Sequence, residues 1–247
     1  MADSPNYYDN IPNAEPEHSL LNSFLDDYFQ HKNFKNKTQR NAIVKILKRE
    51  SDVIVSLPKG HGRTTCFQLP IVLCQKKVSI VFVGLRSRVN MQINRLNREH
   101  VYVEIIDAGT SSEKLDHIKN NINNLSNIRS SLNSILYVTP DVVSNVYFLN
   151  LLHHLIETNS LGFIVIDIAY CENDWLSGQT EDYYALRILR NILMDITWVV
   201  TTEKASYEIA DFIKSTLFLK TQRPDIPRDS IPWFAMNIED NDVLVDR

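Results

Sequence analysis

The chain has 247 residues, a formal net charge of −4 and a hydrophobic fraction of 44%. This length and apolar content suit one α/β domain with extensions, and the acidic balance argues against a wholly basic nucleic-acid coat without excluding a local basic face. The three cysteines have no paired spacing, and the sequence contains no signal peptide and no apolar run that could span a bilayer, so we expect a nuclear or cytoplasmic protein without a membrane partner.

In chain order, residues 1–18 are polar and acidic with three prolines, which is typical of a flexible leader. A domain is predicted over 19–220, beginning with helical periodicity near Ser19, and residues 221–247 form a Pro-rich, acidic tail or linker. Within the domain, β-branched runs predict strands at 52–57, 78–83, 101–106, 134–138, 161–166 and 196–201. Helices are predicted between them, near 38–49, 63–75, 87–99, 112–125, 141–157, 181–194 and 205–217.

This alternation of strands and helices predicts the fold class. Continuous apolar strands such as Phe-Ile-Val-Ile at 163–166 are what a sheet covered on both faces requires. We therefore predict a single α/β domain with a mostly parallel sheet sandwiched between helices. Ligands of such sheets bind at the carboxyl ends of the strands, so the loops there are the candidate site.

A phosphate-binding loop with an altered lysine occupies 57–70, which reads LPKGHGRTTCFQLP. The pattern G-x-x-x-x-G-K-[ST] uses backbone N–H groups, a lysine and a Mg²⁺-binding hydroxyl to hold nucleotide phosphates. Arg63 stands in the place of the lysine, while Thr64 keeps the hydroxyl. The loop residues that we expect to contact nucleotide are Lys59, Gly60, His61, Gly62, Arg63, Thr64 and Thr65.

A second segment, 163–171, resembles the strand that carries the metal-binding aspartate of such sites. Asp167 ends the apolar run and, with Thr64, is the candidate ligand for Mg²⁺ if nucleotide binds. Ile168 follows it, where an acid that orients or activates water is expected. Isoleucine cannot accept a proton, and a general base contributes about 10²–10⁴ in rate.

Taken together, these segments resemble the first RecA-like core domain of RecQ-type DNA helicases, from about residue 34 to about residue 217. The leading segment Phe34-Lys35-x-x-x-Gln39 resembles the family motif whose glutamine reads the adenine edge. The segment 136–141, which contains Thr139, resembles the one that meets a DNA strand, and Trp175 resembles part of the aromatic-rich loop. The resemblance implies ATP or ADP with Mg²⁺ as cofactor and DNA as a partner.

Each of these residues also has an ordinary structural interpretation. Gln39 alone is most often a solvated helix residue, Trp175 is as often a core residue as a DNA-stacking one, and Lys59 is as readily an exposed loop lysine. The cysteines are expected to serve packing, and the histidines show no ligand spacing, so we expect no structural zinc. Arg86 and Arg88, on a predicted helix, could track a phosphate backbone or cover a solvated face.

The resemblance also implies that the catalytic apparatus is degenerate. Besides Arg63 and Ile168, Tyr170 replaces the histidine that links the two core domains, and Glu203 replaces the second threonine of the Thr-Ala-Thr motif. The second core domain, which would supply an arginine finger, is not expected within this sequence. We therefore predict a pseudo-helicase domain that binds protein, DNA or both, in DNA repair, recombination or chromosome maintenance. The alternatives are a residual ATPase or helicase subunit completed by another chain, and a fragment of a longer helicase.

Overall fold

The computed structural model describes residues 17–74, 76–84, 86–93, 101–127, 133–168, 181–203 and 206–221. The helices are α1 (Glu17–Phe29), α2 (Lys37–Lys48), α3 (Arg63–Leu73), α4 (Arg86–Ile93), α5 (Ser112–Asn127), α6 (Val146–Glu157), α7 (Glu181–Ile192) and α8 (Tyr207–Leu217). The strands are β1 (Val53–Ser56), β2 (Val78–Val83), β3 (Val101–Ile106), β4 (Asn133–Val138), β5 (Leu161–Asp167) and β6 (Thr197–Thr202). Over these residues, every helix is too short or too polar to cross a bilayer.

The six strands form one parallel sheet in the order β1-β6-β5-β2-β4-β3. All six predicted strands are present, and the predicted α/β fold with a parallel sheet is confirmed. Because β1, β6 and β5 are adjacent, the loops that follow these three strands meet at one edge of the sheet. The predicted phosphate loop follows β1, and Asp167 ends β5.

Two hydrophobic cores cover the faces of the sheet. Successive strand residues point to opposite faces, so Phe163 and Val165 of β5 join one core while Ile164 and Ile166 join the other. Helices α1–α4 contribute to the first core and α5–α8 to the second. Cys66 and Cys74 are buried in the first core, as expected of packing residues, whereas Cys171 lies outside the described residues.

The predicted helix at 141–157 is wrong in one respect, because the structure divides it into two elements. A 3₁₀ helix spans Pro140–Ser144, and α6 begins only after Asn145. The Asn145 carboxamide oxygen accepts from the N–H groups of Tyr147 at 2.9 Å and Phe148 at 3.4 Å. An asparagine that satisfies the first N–H groups of a helix starts it there, which a pattern of apolar residues does not reveal. Residues 94–99 of the predicted helix at 87–99 lie outside the described residues.

A buried carboxylate ties the amino end of β1 to the rest of the sheet. Asp52 accepts a hydrogen bond from the guanidinium of Arg190, which is 1% exposed, and from the N–H groups of Trp198 at 2.9 Å and Lys220 at 2.7 Å. These contacts join the start of β1 to α7, to β6 and to the segment after α8. The opposite charges of Asp52 and Arg190 neutralise each other in the interior, where an unpaired charge is costly.

We therefore expect Asp52→Ala to lower the free energy of unfolding by about 4 kcal/mol, because it leaves the Arg190 charge buried without its carboxylate. The matched control is Asp211→Ala, which removes a carboxylate that is 77% exposed and pairs with Lys214 on the surface of α8. Urea unfolding followed by circular dichroism measures both variants. Similar midpoints for the two variants would contradict the structural role of Asp52.

Candidate nucleotide-binding site

The phosphate loop adopts the backbone that its glycines allow. Gly60 has φ +88° and Gly62 has φ +85°, which is the left-handed region where side chains with a Cβ are strained. Gly62 is also the N-cap of α3, which begins at Arg63. The N-terminus of α3, with its unpaired N–H groups and partial positive charge, therefore faces the space at the carboxyl end of β1. The backbone retains the form of an anion-binding loop.

Gln39 and Lys35 hold this loop from the side of α2. The Gln39 carboxamide donates to the Gly62 carbonyl at 3.1 Å and accepts from the Lys35 N–H at 2.7 Å. The Lys35 ammonium donates to the Gly60 carbonyl at 2.7 Å. Gln39 is 2% exposed, so it is not the solvated helix residue of the ordinary interpretation. Its carboxamide is engaged by the protein backbone, and a role in reading adenine stays a prediction.

Arg63 is the first residue of α3, and its side chain is turned into the protein. Its guanidinium donates to the Leu57 carbonyl at 2.9 Å and to the Glu203 carboxylate at 3.0 Å. Its Nε lies 3.9 Å from the Asp167 carboxylate. The residue is only 7% exposed. A guanidinium is planar and carries several N–H donors, so it suits a position where several oxygens converge.

The carboxylate of Asp167 is satisfied by protein donors on both oxygens. Oδ1 accepts from the Thr201 hydroxyl at 2.7 Å, and Oδ2 accepts from the Gln92 carboxamide at 2.9 Å. Within the described part of the chain, no hydrogen bond joins Asp167 to the hydroxyl of Thr64, the other predicted metal ligand. The structure thus places the Arg63 guanidinium, rather than the Thr64 hydroxyl, next to Asp167.

The surroundings of Asp167 do not suit Mg²⁺. The ion requires oxygen ligands in near-octahedral order, and here both oxygens of Asp167 accept hydrogen bonds from Thr201 and Gln92. A divalent cation at this carboxylate would also lie close to the positive charge of Arg63, in surroundings that screen the repulsion poorly. The arrangement therefore disfavours the metal at Asp167 unless Arg63 moves away.

Ile168 is part of the hydrophobic core. It is fully buried, and its N–H donates to the Thr201 carbonyl at 3.1 Å. A carboxylate in this apolar position would carry a large desolvation cost, whereas isoleucine adds to the packing. The residue that follows Asp167 therefore serves packing.

A chain of buried polar side chains connects this site to α4 and β4. The Gln68 carboxamide donates to the Tyr137 hydroxyl at 2.7 Å and to the Gln92 carbonyl at 3.4 Å, and Gln92 in turn donates to Asp167. Burial raises the pKa of the Tyr137 hydroxyl and that of the Cys66 thiol, so both stay protonated at neutral pH. Neither group serves as a nucleophile or a base in that form.

The remaining predicted residues fall into three groups. Lys59, Gly60 and His61 are exposed on the loop, and Thr64 and Thr65 are half-buried at the start of α3. Thr139 follows β4, and its hydroxyl is buried without a hydrogen-bond partner among the described residues. The backbone of Arg86 and Arg88 lies in the first turn of α4, whereas three predicted positions fall outside the described residues, namely Tyr170, Cys171 and Trp175.

Sequence patterns do not predict the roles that three residues of the site have here. Lys35 belongs to the leading motif, Glu203 departs from the Thr-Ala-Thr motif, and Gln92 belongs to no motif. The unlike charges of Arg63 and Glu203, at two altered motif positions, were the available signal for their pairing. Nothing in the sequence around Gln92 points to Asp167.

The loop geometry leads to a prediction for its two glycines. A Cβ at Gly62 would lie 2.1 Å from the Gln39 carboxamide nitrogen, whereas a Cβ at Gly60 would meet nothing within 4 Å. Both alanine variants carry the left-handed backbone cost of about 1–2 kcal/mol. We expect Gly62→Ala to lower the free energy of unfolding clearly more than Gly60→Ala, as measured by urea unfolding. In the Gly62→Ala background, Gln39→Ala should cost less than it does alone, since the clash is then removed. Additive effects would contradict this contact.

Comparison with protein-family models identifies a DEAD/DEAH box helicase domain over residues 36–204, more than half of the chain. Three similar relatives are ATP-dependent DNA helicase Q5 of Rattus norvegicus, the bifunctional 3'-5' exonuclease/ATP-dependent helicase WRN of Mus musculus, and ATP-dependent DNA helicase hus2/rqh1 of Schizosaccharomyces pombe. Their identities to this chain are 28%, 28% and 30%. The matches cover 81%, 83% and 78% of this chain but only 20%, 14% and 14% of the relatives.

The solved structures support the same fold. A crystal structure of the DUF1998 helicase MrfA is similar with a TM-score of 0.55 and 16% identity, over 84% of this chain and 32% of that protein. A second structure of MrfA, bound to DNA and AMPPNP, gives a TM-score of 0.54 and 15% identity, over 83% and 29%. The predicted resemblance to the first core domain of RecQ-type helicases is confirmed by the relatives. The chain thus belongs to the DEAD/DEAH box helicase family.

Proposed function

We propose that this chain is a RecQ-like pseudo-helicase domain that does not hydrolyse ATP and acts by binding a protein, DNA or both. The observation that carries the proposal is the placement of the Arg63 guanidinium, which the Leu57 carbonyl and the Glu203 carboxylate hold at hydrogen-bond distance. In the family pattern a lysine at this position reaches the β/γ-phosphates. A guanidinium that satisfies itself on the protein is not available for that role.

The replacement of the catalytic acid supports the same conclusion. Ile168 is fully buried in the core on the side of α5–α8, so neither it nor a water at its side chain can accept a proton. Phosphoryl transfer needs a positioned nucleophile, a metal and neutralisation of developing charge. Arg63 and Ile168 weaken all three requirements at once, because Arg63 also sits 3.9 Å from the aspartate that would anchor the metal.

Contact with DNA is the second part of the proposal. The relatives are named as DNA helicases, and MrfA has been crystallised with DNA. In this chain, Arg86 and Arg88 begin α4 directly after β2, and Thr139 follows β4, the strand next to β2 in the sheet. Binding that weakens steeply as the salt concentration rises is the signature of phosphate contacts. We further propose that the protein acts in the nucleus, in DNA repair, recombination or chromosome maintenance, which is what a resemblance to RecQ-type DNA helicases implies.

One observation favours a second candidate function. The chain spans about a fifth of the length of helicase Q5, which is named as an ATP-dependent enzyme. The competing proposal is a residual ATP-dependent helicase, or a fragment or subunit of one, that works with a second core domain. The two proposals differ in whether the nucleotide site can turn over at all.

We expect the purified chain to release no more phosphate from ATP than an Asp167→Ala variant, with or without single-stranded DNA, because no base is present at Ile168. Phosphate release is measured under conditions in which a RecQ-type helicase is active as a positive control. Steady release that Asp167→Ala abolishes would contradict the pseudo-helicase proposal and support the residual enzyme.

Restoring the family residues should recover metal-dependent nucleotide binding. In the unchanged chain we expect ATP with Mg²⁺ to raise the melting temperature no more than ATP with EDTA. In the double variant Arg63→Lys with Glu203→Thr, the aspartate is released from the guanidinium, and we expect a shift that requires Mg²⁺. Ligand at about a hundred times Kd stabilises a fold by about 2.7 kcal/mol.

The matched control for this pair is Arg187→Lys with Glu157→Thr, which makes the same chemical changes on the surfaces of α7 and α6. It should leave the response to nucleotide as it is in the unchanged chain. A Mg²⁺-dependent shift in the unchanged chain would show that Arg63 does not exclude the metal.

A further inference from the structure

A cavity of about 310 Å³ lies along the outer edge of β1, between α2 and α8. All four residues of β1, Val53–Ser56, line it. Among the described strands β1 pairs only with β6, so its other edge faces this cavity. The lining contains none of the loop residues 57–65, and the cavity is therefore separate from the candidate nucleotide site.

The edge of β1 presents backbone groups that no described residue bonds. The Leu57 N–H donates to the Thr202 carbonyl, which is on the side of β6. In a parallel strand the direction alternates from residue to residue, so the N–H and carbonyl groups of Ile54 and Ser56 point away from β6, toward the cavity. The side-chain hydroxyl of Ser56, like its backbone groups, has no hydrogen-bond partner among the described residues.

The same edge already accepts one backbone contact from a neighbouring segment. The Asp52 N–H, the preceding outward-facing group, donates to the Lys220 carbonyl at 2.9 Å, and the Lys220 N–H returns a bond to the Asp52 carboxylate at 2.7 Å. One backbone hydrogen bond therefore occupies the first outward position of this edge. At the next two outward positions, Ile54 and Ser56, the backbone has no partner among the described residues.

Charge at the cavity favours an acidic occupant. Lys45 of α2, Lys214 of α8 and Lys220 line it, and Asp52 is the only acid among the described lining residues. The Lys220 ammonium also donates to the Met194 carbonyl at 3.2 Å. The Asp52 carboxylate is committed to the buried Arg190, so it does not neutralise these lysines. Lys214 has a single surface partner, Asp211, at 3.7 Å, and Lys45 has no carboxylate partner among the described residues. The lining therefore carries an excess of positive charge beside an open strand edge.

We infer that the outer edge of β1 is a strand-addition site for an extended acidic peptide of a partner protein. Main-chain hydrogen bonds to Ile54 and Ser56 would supply affinity. Helices α2 and α8 cover opposite faces of the sheet, and neighbouring side chains of a strand point to opposite faces, so adjacent carboxylates of the peptide would meet Lys45 on α2 and Lys214 on α8. At about 3.3 Å per residue, four to six peptide residues span the strand. The inference deepens the proposed binding role and rests on it, since it names the chemistry of the protein partner.

The test uses the whole chain and a fluorescent peptide, acetyl-Val-(Glu)₄-Val-amide, whose binding is followed by fluorescence anisotropy. Ile54→Pro removes only the outward N–H of β1 and leaves the ladder to β6 intact, because proline is tolerated at the free side of an edge strand. We expect it to weaken binding about fivefold through the loss of one backbone hydrogen bond, and Ile54→Val to change nothing. The same peptide with alternate amides N-methylated should also bind weakly to the unchanged chain, which covers the case that Ile54→Pro does not fold.

The same anisotropy assay tests the contribution of the lysines. The double variant Lys45→Glu with Lys214→Glu should bind about tenfold more weakly at low salt and lose most of the salt dependence. The peptide acetyl-Val-(Lys)₄-Val-amide should not bind the unchanged chain.

Three outcomes would overturn the inference: no binding of the acidic peptide by the full chain at low salt, equal binding by the N-methylated peptide, or equal binding by the lysine peptide. Occupation of the edge by residues 222–247 of the chain itself would give the first of these. None of these outcomes affects the phosphate-release test, so failure of this inference and failure of the pseudo-helicase proposal are distinguishable.

Discussion

The burial of the Arg63 guanidinium sets the chemistry of the whole site at the end of the sheet. A charge that is 7% exposed needs partners, since an unpaired ion in the interior costs several kcal/mol. Leu57 supplies a carbonyl and Glu203 a carboxylate, and these lie at the ends of β1 and β6. Without Arg63, Glu203 would add a second negative charge near Asp167, and without Glu203, Arg63 would lose its strongest partner. The two departures from the family pattern are thus one coupled change.

The same coupling explains how catalytic groups could change while the fold stayed intact. Both cores are built from residues of the strands and of the helix faces that pack on them, and the nucleotide site contributes few of these. Ile168 is an example, because its apolar side chain joins the core, whereas a buried acid at this position would carry a desolvation cost. An apolar residue at this position therefore carries no penalty in packing.

The six strands and most helices could be predicted because apolar runs and periodicity are local signals, and the phosphate loop because its glycines and Thr64 keep their spacing. Contacts between distant positions could not be predicted. Arg63 and Glu203 are 140 residues apart, and Gln92 and Asp167 are 75 apart. The end of the 3₁₀ helix before α6 was missed because a single cap residue, Asn145, decides it.

The two sides of β1 differ in a way that bears on how such a domain acts. At its carboxyl end, Leu57 and the loop are held by the protein's own side chains. Along its outer edge, the backbone groups of Ile54 and Ser56 have no partner among the described residues, and buried backbone groups strongly favour being paired. Within the described part of the chain, the loop is thus held by internal contacts while one edge of the sheet is open, and a pairing segment gains most at the open edge.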